Sequence, residues 1–302
     1  MMILKSFRMD VSKKIIAYKA VLSQSDFERI KNFVEGKYGI KLPLQKKTMV
    51  QGRLQKRLAE IGLETFKSYL NYVFNDPEGN EELFHMVDAL STNKTSFFRE
   101  SNHFDYIQSK VIPEFTKLHS FKTLKAWSAG CSSGEEVYTL AMVLNEGLTP
   151  HNFSYSIWGT DISIRMLKKA RAAIYNESLI ETIPTYLKKK YFLKSKDPSK
   201  KMVRIVQDLR GHTLFGRLNF MDYAYQTPYT FDIVMLRNVI IYFDKEQQNE
   251  VIKKVVDKMN TGGYLFLGHS ETILKNNFPL EAVGPTIYRK TSNIKNYVRR
   301  SY

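Results

Sequence analysis

At 302 residues the chain exceeds what one compact core usually holds, so two domains are expected. Hydrophobic residues make up 43% and charged residues 25%, an ordinary globular balance, and no run of about 18 uncharged apolar residues offers a membrane span. A net charge of +16 points to an acidic partner, the single Cys131 excludes an internal disulfide and fits a reducing cytoplasm, and six histidines without metal-site spacing argue against a metal cofactor.

The opening stretch lacks a signal peptide's unbroken apolar core, and residues 1–22 read as a mobile tail without a clear period. Ser25 followed by Glu28 has the spacing of a capping box. Phe27, Ile30, Val34 and Tyr38 then recur at helical spacing until Gly39 ends the run. Val50, Leu54, Leu58 and Ile61 mark a second helix. Arg53, Lys56 and Arg57 share another of its faces and are candidates for docking an acidic partner helix, or else a solvated face. Phe66, Tyr69, Leu70 and Val73 mark a third helix, and Leu83, Phe84, Val87 and Leu90 a fourth. Residues 23–90 thus form a small all-helical N-terminal domain, followed by a linker at 91–102 that, by the family resemblance given below, contributes to the active site.

From about residue 120 strands and helices alternate. TLKAWSAG is a buried strand, EEVYTLAMVLNEG a helix, SYSIWGTD a strand and SIRMLKKARAAIY a helix. YTFDIVMLRN is a strand apolar enough to be central. Asp244 with Gln247 caps the next helix, Gly262 and Gly263 lead into YLFLGHS, and LEAVG with TIYRK closes the sheet as an antiparallel pair. The alternation predicts an α/β fold, a doubly wound and mainly parallel sheet with an antiparallel last strand, spanning residues 103–290. The rhythm stalls between Tyr191 and Asn219, where a small antiparallel β subdomain is expected as an insertion at about 190–217. Residues 291–302 read as a basic C-terminal tail. The basic charge is patchy: residues 41–57 hold six Lys/Arg and no acid, and residues 185–217 hold ten against two acids.

The turn after the first strand runs Gly130-Cys131-Ser132-Ser133-Gly134-Glu135-Glu136, and glycine there permits close backbone approach to a ligand. It fails the dinucleotide fingerprint because Ser occupies position 132. Two acids also open the following helix, where a pyrophosphate would need bare amides. A sulfonium cation carrying an ammonium group tolerates those acids. Asp161 ends the second strand, where an acid can hold ribose hydroxyls. S-adenosylmethionine is therefore the favoured cofactor, with helix-dipole complementation the plainer reading of the two Glu. Arg237-Asn238 ends a strand in an apolar run and is a further candidate, the alternative being an Arg that packs its stem and an Asn that closes a turn. The (Asp/Asn)-Pro-Pro-aromatic tetrapeptide common in base-directed amino methyltransferases is absent.

The segment STNKTSFFRE (91–100), taken with WSAGCSSGEE, the TD at 160–161, RNVIIYFD and GHSE (268–271), resembles the CheR family, the glutamate O-methyltransferases of chemotaxis receptors. The resemblance covers about residues 23–290, with five motifs in order. It implies that Asn93, Thr95 and Arg99 from the linker line the S-adenosylmethionine pocket together with Glu136, Asp161, Asn219, Phe220, Arg237 and Asn238. It also implies that Arg99 and Tyr242 lie near the transferred methyl. In some members the β subdomain docks a receptor C-terminal peptide. Lys94, where an apolar or small residue is common, and Val137, where Pro is frequent, are departures that remove no catalytic group. The activity so implied is transfer of a methyl to glutamate carboxylates on the cytoplasmic helical region of membrane chemoreceptors. The competing readings are a nucleic-acid methyltransferase, drawn from the basic charge, and a non-catalytic module that senses the cofactor.

Overall fold

The computed structural model describes residues 11–120, 122–197, 199–273 and 278–292. The chain divides into two compact units between Thr92 and Asn93. No helix among the described residues is long and apolar enough to cross a membrane.

The first unit is helical: α1 (Val11–Lys19), α2 (Gln24–Tyr38), α3 (Lys47–Ile61), α4 (Phe66–Asn75) and α5 (Asn80–Leu90). The start of α2 differs from expectation. Ser23, not Ser25, is the cap, its hydroxyl accepting from the Asp26 amide at 3.0 Å. The apolar stripes of α2, α3 and α4 are buried as their spacing predicts, except that Ile61 at the end of α3 is only half-buried. In α5 the core position is taken by Met86, while Leu83 and Phe84 are only half-buried. The tail reading gives way from Val11 onward. Helix α1 buries Ala17 and leaves Ile15, Ile16 and Tyr18 exposed, so no apolar period betrays it. The residues just after it are bonded to α3: Gln51 accepts from the Leu22 amide and Gln55 donates to the Ala20 carbonyl. Residues 1–10 and 293–302, the ends read as tails, lie outside the described residues.

The second unit opens with α6 (Asn102–Tyr106), a π turn and α7 (Ile112–Leu118). Then follow β1 (Thr123–Ala129), α8 (Glu135–Leu148), β2 (Ser154–Asp161), α9 (Ile164–Ala172), β3 (Ile174–Asn176), α10 (Thr185–Tyr191), β4 (Phe192–Lys194), β5 (Met202–Ile205), α11 (Gln207–Gly211), β6 (Thr213–Arg217), β7 (Phe231–Leu236), α12 (Lys245–Asp257), β8 (Met259–Leu267), β9 (Leu280–Gly284) and β10 (Ile287–Lys290). The main sheet has the order β6-β2-β1-β7-β8-β10-β9, parallel through β8 and antiparallel at β10 and β9. Every residue of β7 is buried, since the strand is covered on both faces; apart from Asp232, which accepts from the Lys125 amide, it is apolar at both parities. Ile233 and Met235 face one core with Leu124, Ala126 and Phe266. Val234 and Leu236 face the other with Trp127, Leu265 and Val255 of α12. Burial of each such side chain stabilises by roughly 1.5–3 kcal/mol.

The inserted subdomain is the three-stranded antiparallel sheet β3-β5-β4. It begins earlier than the stalled rhythm suggested and ends at Ile205. The stretch HTLFGR instead supplies β6, the parallel edge strand beside β2. Its residues are at most half-buried, so it carries no continuous apolar run. Helix α9 also stops short, at Ala172, since Ala173 turns left-handed before β3. The Asp244–Gln247 capping box forms at the head of α12.

Candidate active site

Strand β1 has β2 on one side and β7 on the other, so the chain reverses its winding at β1 and leaves a crevice beyond its carboxyl end. The turn that leaves β1 enters this crevice. Gly130 has φ +89°, and a Cβ there would meet Val239 Cγ2 at 2.4 Å, so only glycine fits. The Gly130 and Cys131 amides both donate to the Thr160 carbonyl at 2.8 Å. Asp161 Oδ2 accepts from the Ser132 amide at 2.8 Å, and Oδ1 from the Ser163 amide at 2.9 Å. Asp161 thereby holds a residue with φ +48°. Ser132 Oγ in turn donates to the Asn93 carbonyl at 2.9 Å, which ties the start of this unit to the turn.

The segment from Asn93 to Glu100 is irregular and strained. Phe98 and Glu100 have φ +53° and +54°, a region that costs bulky residues about 1–3 kcal/mol each. Neighbouring contacts impose it. Phe97 is buried edge-on against Tyr175 and Phe192 of the inserted sheet, and the Phe98 amide donates to Thr139 Oγ1 at 3.2 Å. Arg99, flanked by the two strained residues, is half-buried; its Nη1 donates to the Lys94 carbonyl at 3.0 Å. Arg237 Nη2 donates to the Arg99 carbonyl.

Arg237 is the buried cation of the site. Its Nε lies 3.4 Å from Glu136 Oε2 and 3.6 Å from Glu100 Oε2, and its guanidinium stacks 5.4 Å from the Phe104 ring. Nη1 has no hydrogen-bond partner among the described residues. Burial pushes the Glu136 carboxyl above its ordinary value, against the pull of Arg237 and of the Ser128 hydroxyl that donates to it at 2.7 Å. Asn238 has φ +57°, which Asn tolerates, and its Nδ2 donates to Glu100 Oε1 at 3.3 Å. After β6, the Leu218 amide donates to the Asp161 carbonyl, Asn219 Oδ1 accepts from the Met221 amide, and Phe220 is buried against Tyr225 and Phe243.

Contacts thus link Asn93, Arg99, Gly130, Glu136, Asp161, Arg237 and Asn238, with Asn219 and Phe220 on the adjoining strand end. Thr95 and Tyr242 are half-buried, and their side chains take no part in that network among the described residues. Arg53, Lys56 and Arg57 all lie on α3. Arg53 Nη1 donates to the carbonyls of Ala89, Leu90 and Ser91, closing the end of α5. Arg57 grips the buried Glu82 through Nε at 2.9 Å and Nη2 at 2.5 Å. Lys56 alone of the three is exposed. Two acids were not read from the sequence as site residues. Glu271, within the quoted GHSE, accepts from four backbone amides, and Glu100 pairs with Arg237. Glu100 also stands with His103 and His269, their potential ligand atoms within 4.8 Å of one another, a grouping that sequence spacing hides. Arg237 already places a positive charge beside that carboxylate.

S-adenosylmethionine fits this donor and acceptor set. Its ammonium and ribose hydroxyls call for acceptors, which Glu136 and Asp161 supply. Its carboxylate calls for a cation, and Arg237 Nη1 is a buried donor left open. At Gly130 the space a Cβ would take is filled by Val239, so the glycine lets the turn after β1 pack on the loop after β7.

Residues 93–289 match the family model of the CheR methyltransferase S-adenosylmethionine-binding domain, and residues 25–91 that of the CheR methyltransferase all-alpha domain. The chain is 38% identical over 274 residues to a chemotaxis protein methyltransferase of Borreliella burgdorferi, covering 89% of this chain and 95% of that one. It is 34% identical over 273 residues to a chemotaxis protein methyltransferase of Escherichia coli, covering 89% of this chain and 92% of the relative.

Proposed function

The chain belongs to the CheR methyltransferase family, a family of S-adenosylmethionine-dependent chemotaxis methyltransferases, and from that premise we propose that it methylates glutamate side chains of chemoreceptors in the cytoplasm. The observation that carries the reading is the placement of Arg99. Its carbonyl is held by Arg237 between two strained neighbours, while its guanidinium spends only Nη1 on a described residue.

When bound, S-adenosylmethionine supplies a methyl group made electrophilic by the sulfonium. Glu136, Asp161, Arg237 and Asn238 hold the cofactor, with Asn93, Thr95, Asn219 and Phe220 completing its surround. A glutamate with a pKa of about 4.3 is already ionised at neutral pH, so the chain need not remove a proton. The remaining donors of Arg99 receive the incoming carboxylate and aim one oxygen, since a planar guanidinium offers paired N–H groups. Tyr242 walls the space around the methyl. Alignment of this kind can supply on the order of 7–11 kcal/mol. The receptor's helical region docks on the α3 face that exposes Lys56, and in receptors that carry one, a C-terminal peptide meets the β subdomain.

The test is incubation with methyl-labelled cofactor and a receptor-bearing membrane fraction, followed by mild alkali and peptide mapping. A glutamyl ester releases labelled methanol; a base-stable product overturns the reading. Arg99→Ala is expected to lower turnover at least a hundredfold while cofactor affinity stays within about tenfold. Near-wild-type turnover would remove Arg99 from its role.

A further inference from the structure

We propose that Glu271 is a positioning residue for methyl transfer: its buried carboxylate sets the course of the loop that carries Asn238 and Tyr242. The inference rests on the site assignment above. Glu271 is 3% exposed and follows β8, whereas three of its four partners follow β7. Oε2 accepts from the Gly268 amide at 2.7 Å and the Asn238 amide at 2.8 Å. Oε1 accepts from the Val239 amide at 2.8 Å and the Ile240 amide at 2.9 Å. Two donors on each oxygen fill its lone-pair directions.

The consequence is geometric. Three successive amides, from Asn238 to Ile240, can converge on one carboxylate only if the chain turns back sharply at the end of β7, and Asn238 does so with φ +57°. The next residues form a short 3-10 turn, Ile240–Tyr242, whose last member is thereby placed. Gly268 completes the clamp from behind. A Cβ there would stand 2.6 Å from Asn238 Nδ2 and 2.8 Å from the Asn238 amide nitrogen. The loop after β7 is therefore molded against the turn after β8, with Glu271 as the fastener. An ionised acceptor is needed, because only a carboxylate presents acceptors on both oxygens.

Glu271→Gln retains shape but swaps one oxygen for an NH2 that faces two N–H donors. At a temperature where both proteins are folded by circular dichroism, the variant is expected to bind S-adenosylhomocysteine at least tenfold more weakly, through displaced Asn238. Its kcat is expected to fall at least thirtyfold, with the KM for receptor unchanged within threefold. Glu271→Asp, which keeps the charge at a shorter reach, should recover part of both losses. Gly268→Ala keeps the Glu271 side chain but wedges a Cβ between it and the loop, 2.8 Å from Glu271 Oε2 and 2.6 Å from Asn238 Nδ2, and should reproduce the weaker binding, a result that stands if the Glu271 variants do not fold. S-adenosylhomocysteine affinity in Glu271→Gln and Gly268→Ala within threefold of wild type overturns the proposal. Calorimetry needs no methyl acceptor, so failure of the chemoreceptor reading would leave this outcome legible.

Discussion

Two loops meet the candidate site from adjacent strands, and they are built alike but held differently. The turn after β1 contains left-handed Ser132 and is held by Asp161 from the end of β2. The loop after β7 contains left-handed Asn238 and is held by Glu271 from beyond β8. In both, a buried carboxylate from a neighbouring strand collects amides that no sheet or helix satisfies, where an unpaired buried N–H costs about 1–3 kcal/mol. The division of labour differs. Asp161 accepts the Ser132 amide from the turn after β1 and the Ser163 amide from just beyond its own strand. Glu271 gives the loop after β7 three bonds and takes its fourth from Gly268. A carboxylate with two amides on each oxygen, as in Glu271, serves the fold and acts on the ligand through others.

The sharpest way to break this contrast is Asp161→Ala, which removes both the anchor of Ser132 and a ligand acceptor. Cofactor affinity should fall about a hundredfold, near 3 kcal/mol, by calorimetry. A loss under threefold would mean that Asp161 is purely structural. The second loop can be perturbed through its neighbour His103, fully buried beside Glu100. Burial, reinforced by Arg237, lowers its pKa to about 4. An unfolded histidine titrates near 6.5, so between these values the unfolded chain binds more protons, and stability falls as pH drops from 6.5 toward 4. The His103 contribution to that fall is about 3 kcal/mol. Urea midpoints of wild type against His103→Gln across this window should converge at low pH.

A smaller change tests the first turn alone. Gly130→Ala must place a Cβ against Val239 at φ +89°, and should cost about 2 kcal/mol in thermal unfolding. The smallest expected effect is Ser132→Ala, which deletes the hydroxyl bonded to the Asn93 carbonyl. Stability should drop by about 1 kcal/mol and cofactor affinity two- to threefold, separating the tie to Asn93 from the anchoring of the turn itself.

Much of the site could be read without coordinates, because its residues sit where local pattern changes. Gly130 follows an apolar strand, Asp161 ends one, and Arg237-Asn238 interrupts a third. Glu271 could not be assigned in this way. Its partners Asn238 to Ile240 stand more than thirty positions earlier, and a lone acid after GHS carries no sign of which amides it will meet. Glu100, quoted within a motif, likewise meets Arg237 from far along the chain.

The fold divides along the same line. Periodicity alone specified α2, α3, α4, β1, β2, β7 and the capped α12, since each buries one helical stripe or apolar faces that any packing partner would demand. Tertiary structure decided α1, which buries little and whose following residues are tied by glutamines of α3, and β6, which is a strand only because β2 offers its edge. It also decided which carboxylate closes which loop. Apolar burial is encoded residue by residue, whereas the partner of a buried amide is whatever group the finished fold brings within 3 Å.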